Sequence, residues 1–290
     1  MKKRGFLYIV IAGILWGTSG IFFNLLKPYG FTPLQMTAMR GVVSGLAMVV
    51  FTLLTDRSLF RVKGKELVLF IGSGLAVFTT AASYYAAIEA SSVSTAVILM
   101  YTAPVFVMAY SVAFLKEKLN TIKLVAVVLV MAGCALVSGI AGGMTFRFWG
   151  IVLGLGAGIL YSIYNILTKI SALRGSDSRS ATLYIFLVMG ISSICVCDPA
   201  GLVQITATAP LEILPLILGI GICTCVMPYF LYTMALQEIP AGTAASLGII
   251  EPMAATIFSV VIFKEQLSIY AIVGIVMILG AVFMLSKGDE

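Results

Sequence analysis

One carboxylate stands out among the residues of this sequence that could do chemistry. Glu251 precedes Pro252 about ten residues into an apolar run of about 22, and so falls near mid-bilayer if that run crosses a membrane. An ionised carboxylate at such a depth costs about 3 kcal/mol or more unless it meets a wet cavity or a cation. Two readings are open. Glu251 takes up protons or binds a substrate ammonium, or it is a structural glutamate at a helix irregularity, where Pro252 removes a backbone donor and frees a carbonyl. Arg40 begins about seven residues into another apolar run, roughly 10 Å from its end. It can snorkel back to the interface, bind a substrate carboxylate, or pair with an internal acidic or carbonyl group.

Trp16 and Tyr161 fall near mid-depth, whereas Trp and Tyr normally favour the membrane interfaces. They read either as cavity lining or as buried aromatics whose polar atoms bond another helix. Asn165, one turn beyond Tyr161, shares its helix face and adds a polar group there. Tyr84 and Tyr232 lie toward helix ends, as a pair of gates or as interface anchors, and Tyr101 belongs with them as a gating or cavity residue. Pro104 and Pro252, each near the middle of a helix, break one hydrogen bond and bend the axis, so both are candidate hinges.

Enzymatic constellations are scarce. The sequence has no histidine, no H-E-x-x-H and no P-loop, and serines such as Ser19, Ser44 and Ser111 have no obvious base beside them. The five cysteines, Cys134, Cys195, Cys197, Cys223 and Cys225, lie within or at the edge of apolar runs, where cysteine behaves as a small hydrophobe. Residues two apart on a helix point about 200° apart, so neither C-x-C pair forms one ligand face. No metal site, no cofactor and no catalytic residue is expected. The missing nucleotide loop excludes ATP as a direct energy source in this chain and leaves gradients.

The elements that must position these residues follow from composition. Of 290 residues, 61% are hydrophobic and 10% charged, against about 45–50% and about 25% in soluble domains, and mean hydropathy is +1.11. Apolar runs of spanning length recur from end to end, which predicts an all-α integral membrane protein with no room for a soluble catalytic domain. Punctuation by charge, proline and glycine predicts ten transmembrane helices near 5–26, 34–54, 67–88, 93–115, 119–138, 149–168, 181–197, 211–236, 242–263 and 268–286. Lys2, Lys3 and Arg4 ahead of the first run resemble a signal peptide, but that run is long enough to span and counts as helix one.

The net charge of +6, from 18 Lys+Arg against 12 Asp+Glu, does not point to nucleic acid, because the basic residues sit mainly in short connections. With the N-terminus cytoplasmic, thirteen of the 18 lie in inside connections, Arg57, Arg61, Lys63 and Lys65 of the 55–66 loop among them. Only Lys27, Arg147 and Lys264 fall outside, while Arg40 and Lys123 lie within helices. Both termini are therefore expected in the cytoplasm, in a multi-pass protein of the inner membrane.

An internal repeat sets the architecture. At a shift of 148, residues 84–134 match 232–282 without a gap. Thr95-Ala96 pairs with Thr243-Ala244, Leu99 with Leu247, Pro104 with Pro252, Ser111-Val112 with Ser259-Val260, Lys116-Glu117 with Lys264-Glu265 and Leu119 with Leu267. At a shift of 145, Ala12 through Trp16 faces Ala157 through Tyr161. Two five-helix halves, 1–140 and 148–290, are expected, and because five is odd the second enters the membrane inverted. Gly150, Gly154, Gly158 and Ser162 form a small-residue ridge for close helix approach, as do Gly13 and Gly17.

Trp16-Gly17 in helix one, Arg40 in helix two, a mid-helix proline followed by Lys-Glu-x-Leu in each half, and Glu251-Pro252 in helix nine resemble the EamA branch of the drug/metabolite transporter superfamily. The resemblance covers nearly the whole chain. It implies ten helices in two inverted repeats around a central cavity, and export or exchange of small metabolites such as amino acids. One departure is Ala103-Pro104 in the first half against Glu251-Pro252 in the second, so the acidic position is not symmetric. The expected function is a secondary carrier that exports small amphipathic metabolites, amino acids or their analogues foremost, by alternating access between the two inverted repeats, with membrane lipid and a small-molecule substrate as partners and with proton coupling open. Quaternary-cation efflux is the alternative, and a non-transporting subunit or an intramembrane enzyme are the alternatives of another class. Reporter fusions after residue 60 and after residue 205 are expected to report opposite sides, the first cytoplasmic; the same side for both would overturn the topology.

Overall fold

The computed structural model describes residues 2–117, 119–138, 147–264, 266 and 268–288, and every regular element among them is a helix. The apolar helices are α1 (Lys3–Tyr29), α2 (Pro33–Thr55), α3 (Gly64–Ala90), α4 (Thr95–Phe114), α5 (Thr121–Val137), α6 (Phe148–Leu173), α7 (Ser178–Val196), α8 (Pro210–Glu238), α9 (Ala241–Phe263) and α10 (Ile269–Leu285). Eight of them are long and apolar enough to cross a membrane, the mark of a multi-pass membrane protein. α5 and α10 are apolar but shorter than the predicted spans. The 17 residues of α5 rise about 26 Å, less than a hydrocarbon core of about 30 Å. A short helix the sequence did not predict, Pro199–Thr208, links α7 to α8; Asp198 Oδ1 starts it by accepting the Gly201 N–H at 3.1 Å.

Several helix starts are written locally. α2 opens with a capping box, in which Thr32 Oγ1 accepts from the Gln35 N–H at 3.2 Å and Gln35 Oε1 accepts from the Thr32 N–H at 3.0 Å. Pro33 follows at the first helical position, where no N–H is needed. Asn120 and Asp177 cap α5 and α7 by accepting the Lys123 and Arg179 amides at 2.8 and 2.7 Å.

Lipid tails are as apolar as leucine, so these helices must associate through close packing and hydrogen bonds. α2 crosses α7 backbone on backbone: a Cβ added to Gly41 would stand 2.9 Å from the Gly190 Cα. α5 crosses α10 the same way, a Cβ on Gly274 falling 2.6 Å from the Gly133 carbonyl oxygen. The ridge of Gly13 and Gly17 on α1 admits Ile250 and Ala254 of α9, and that of Gly150, Gly154 and Gly158 on α6 admits Ser91, Leu99 and Thr102.

α4 and α9 are each broken rather than kinked. One half-helix of α4 runs Val93–Met100 and the next Ala103–Phe114; α9 divides into Ala241–Leu247 and Ile250–Phe263. The sequence places Pro104 and Pro252 within continuous bent helices, but both lie in the first turn of a second half-helix. A missing N–H there loses no intrahelical partner, so the chain restarts its helix at the proline instead of straining through it. α1 is interrupted at Thr18, whose hydroxyl donates to the Leu15 carbonyl at 2.6 Å. α8 passes through a π-turn at Ile222–Val226 just ahead of Pro228.

The two broken helices meet at one end only. Ala103–Phe114 packs on Ala241–Leu247 beside the start of α1, whereas the pair matched to them by the 148-residue shift, Val93–Met100 and Ile250–Phe263, makes next to no contact among the described residues. The other end holds a cleft of about 360 Å³ that begins at Ala255, one turn beyond Glu251, and includes Asn24, Thr256, Ser259, Phe263 and Gln266. Gly41→Leu is expected to force α2 from α7 and abolish the monodisperse peak in fluorescence-detected size exclusion. Gly20→Ala, whose Cβ would meet nothing within 4 Å, should elute as wild type.

Candidate functional site

The centre of the bundle is an aromatic cluster built on α8. The π-turn inserts one extra residue ahead of Pro228 and resets the helix register. Tyr229 and Tyr232, three residues apart, then share the face turned toward α1 and α6. Trp16 lies edge-on to Tyr229 at 5.2 Å between ring centroids and 5.4 Å from Tyr232. Tyr164 joins them at 5.6 Å from Tyr229 and stacks on Tyr161 at 5.9 Å, and Phe186 of α7 meets Tyr229 at 5.2 Å. These are the offset and edge contacts that ring quadrupoles favour. Asn165, fully buried, ties the cluster together: its Nδ2 donates to the Tyr161 carbonyl at 2.7 Å, and its Oδ1 accepts from the Tyr232 hydroxyl. The Trp16 Nε1–H is buried with no acceptor.

Two charges sit against this cluster. Glu251 is the second residue of the half-helix Ile250–Phe263, in the first turn, where unpaired N–H groups favour negative charge. The close approach of Gly13 covers that turn. Glu251 is half-buried, with Tyr101, Tyr84 and Tyr161 within electrostatic range. Arg40, also half-buried, does not snorkel outward: its Nε donates to Cys225 Sγ at 3.3 Å, and Tyr85, Tyr229 and Glu251 lie within range of its charge. No ion pair within 4 Å joins Arg40 to Glu251; among the described residues the pair formed is Arg179–Asp177. Nor is there a group of three or more Cys, Asp or Glu side chains that could hold a metal ion among them.

The structure thus brings Trp16, Tyr161, Asn165 and Tyr232 into one cluster, with Arg40, Tyr101 and Glu251 at its border. Tyr84 lies nearby, 5.6 Å from Tyr85. Pro104 and Pro252 lie at the breaks instead of lining the cluster. Tyr232 is 0% exposed, so it anchors no interface. Tyr85, Tyr164, Phe186, Cys225 and Tyr229 were missed in the sequence. The i, i+3 spacing of Tyr161 with Tyr164 and of Tyr229 with Tyr232 was a usable signal for two of them. Cys225 had none, because its direction depends on the π-turn. Chemically, the arrangement offers a cation, a carboxylate and flat aromatic faces around one interior region, which suits a small solute bearing both charges. Tyr232→Phe keeps the ring but leaves Asn165 Oδ1 buried without its donor, and is expected to cost about 1–3 kcal/mol, read as a lower thermal midpoint in detergent.

Comparison with known proteins accords with this architecture. The family model for the EamA-like transporter family matches residues 3–139 and 148–287. An uncharacterized transporter, YwfM, of Bacillus subtilis (strain 168) is 26% identical over 285 residues, covering 98% of this chain and 94% of that protein. An uncharacterized transporter of Archaeoglobus fulgidus is 28% identical over 276 residues, covering 95% and 94%. One solved crystal structure, 18% identical, superposes with a TM-score of 0.82 over 100% of both chains, a likeness of fold. With the family matched across both halves of its broken-helix bundle, this chain belongs to the EamA-like transporter family.

Proposed function

We propose that the protein is a secondary carrier that exports amino acids or closely related zwitterions, working by alternating access between two inverted five-helix repeats, 1–140 and 148–290, with ten membrane-crossing helices in all. Arg40 and Glu251 carry this assignment. Both turn inward to the same central region, within electrostatic range yet unpaired, so that a solute's carboxylate and ammonium can each find a partner. Trp16 and Tyr161 supply apolar faces for its side chain, and the orphan Trp16 Nε1–H supplies a donor. The repeat is supported by the sequence match at 148 residues and by the glycine crossings of α2 on α7 and α5 on α10, each joining a helix to its counterpart. Tyr84, Tyr101 and Tyr232 are assigned to gating or to the cavity wall, and Pro104 and Pro252 to hinges at the two breaks. Both termini are assigned to the cytoplasm and the chain to the inner membrane, from the distribution of basic residues.

A second reading draws on the aromatic surroundings of Glu251, which also suit a quaternary ammonium held by a carboxylate and ring faces. A flux panel separates the two. Protein in liposomes is expected to accelerate counterflow of at least one amino acid, and Trp16→Ala to weaken it. Glu251→Gln should lower that flux by about tenfold or more and remove its pH dependence, at unchanged thermal stability. Wild-type flux by Glu251→Gln at every pH would remove this residue from the mechanism. Robust movement of quaternary cations without any amino-acid flux would establish the second reading.

A further inference from the structure

The Lys-Glu pair that follows α4 plays no part in the central site. Lys116 adopts φ 56°, and the Glu117 N–H donates to the Ser111 carbonyl at 3.1 Å, a left-handed closure of the helix that costs a non-glycine residue energy. Lys264, its match in α9, has the same φ, and these two are the only non-glycine residues with positive φ among the described residues. The reversal carries the Glu117 carboxylate across to α9, where Oε1 accepts the Ala241 N–H at 3.0 Å. That amide begins the half-helix Ala241–Leu247 and has no local cap, because Pro240 stands where Ser92 stands in the first half. Ser92 Oγ, by contrast, caps its own half-helix by accepting the Thr95 N–H at 3.2 Å.

Lys169 of α6 takes hold of the same turn from another side. Only 7% exposed, it donates from Nζ to the Leu236 and Ile239 carbonyls at 2.8 and 2.7 Å, and Glu117 lies within electrostatic range of it. Hydrogen bonds to charged groups are stronger than neutral ones, so the α8–α9 turn is held by charge-assisted bonds from both sequence halves. It lies at the end where α4 and α9 pack together.

We propose that Glu117 and Lys169 form the latch that keeps this end of the bundle closed, and that releasing it admits solute to the central residues from that side. This role rests on the carrier reading above. Glu117→Ala and Lys169→Met are each expected to speed hydrogen exchange of the Ala241–Leu247 segment about five- to tenfold. Val93–Met100 should exchange as in wild type, and Glu117→Gln, which keeps an accepting oxygen, should restore most of the protection. Glu89→Gln, an exposed carboxylate outside the network, serves as a folded control. In a background with the other four cysteines changed to serine, a membrane-impermeant maleimide applied at the latch end should label native Cys225 at least about fivefold faster in both latch variants. Wild-type exchange in Ala241–Leu247, or faster exchange with unchanged labelling, overturns the latch. If both respond while no solute moves in liposomes, the latch stands and the carrier reading falls.

Discussion

A backbone that leaves helical geometry inside a bilayer must be wrapped in protein, since lipid offers no hydrogen bonds to the groups it frees. α4 and α9 break at 101–102 and 248–249, and the surrounding packing answers that demand. α1 brings Gly13 and Gly17 against Ile250 and Ala254; α6 brings Gly154 and Gly158 against Leu99 and Thr102. Only a glycine lets a neighbouring helix approach this closely, so the glycines of α1 and α6 and the breaks in α9 and α4 are one device. Thr102 adds a local repair, its hydroxyl donating to the Leu99 carbonyl at 2.6 Å.

The breaks place Glu251 where a carboxylate can be carried. In an unbroken helix it would sit at mid-helix, far from any free N–H, whereas at the start of Ile250–Phe263 the helix dipole favours its charge. Position 103 in the first half carries alanine, so the two breaks share a geometry but not a charge. Arg40 completes the asymmetry from α2. Among the described residues the hydrogen-bond partner of its side chain is a thiol, a weak acceptor, which leaves most of its five donors available. An arginine bound instead to Glu251 would be self-satisfied and of little use to a solute. Keeping the two charges near but apart fits the carrier proposed here.

The aromatic cluster supplies rigidity around those charges. Its rings come from α1, α6, α7 and α8, so a shift of any one of these helices disturbs ring contacts with the others. Packing between α4 and α9 is uneven by comparison, tight where Ala103–Phe114 meets Ala241–Leu247 and loose at the other end, where Ile250–Phe263 lines the cleft. A bundle with a packed aromatic centre and two broken helices that meet at one end fits the alternating access proposed above.

An all-helical membrane protein and the approximate helix boundaries were legible in the sequence, because hydrophobic run length and the cost of burying charge are local properties of a chain in lipid. Glu251, Arg40 and Trp16 could be singled out on that ground alone. Glycine spacing likewise marked the ridges, though not what they would admit. Tertiary structure decided the rest. Whether a proline bends a helix or restarts one depends on the neighbours that cover the freed backbone, and whether Arg40 turns inward depends on a π-turn that aims Cys225 at it. The Lys-Glu pair shows the same limit: its recurrence is visible in the sequence, but its partner, the Ala241 amide, lies 124 residues away and is reached only when α4 and α9 pack together. Local chemistry can be read along the chain, whereas a contact between distant segments exists only once packing has set the distance between them.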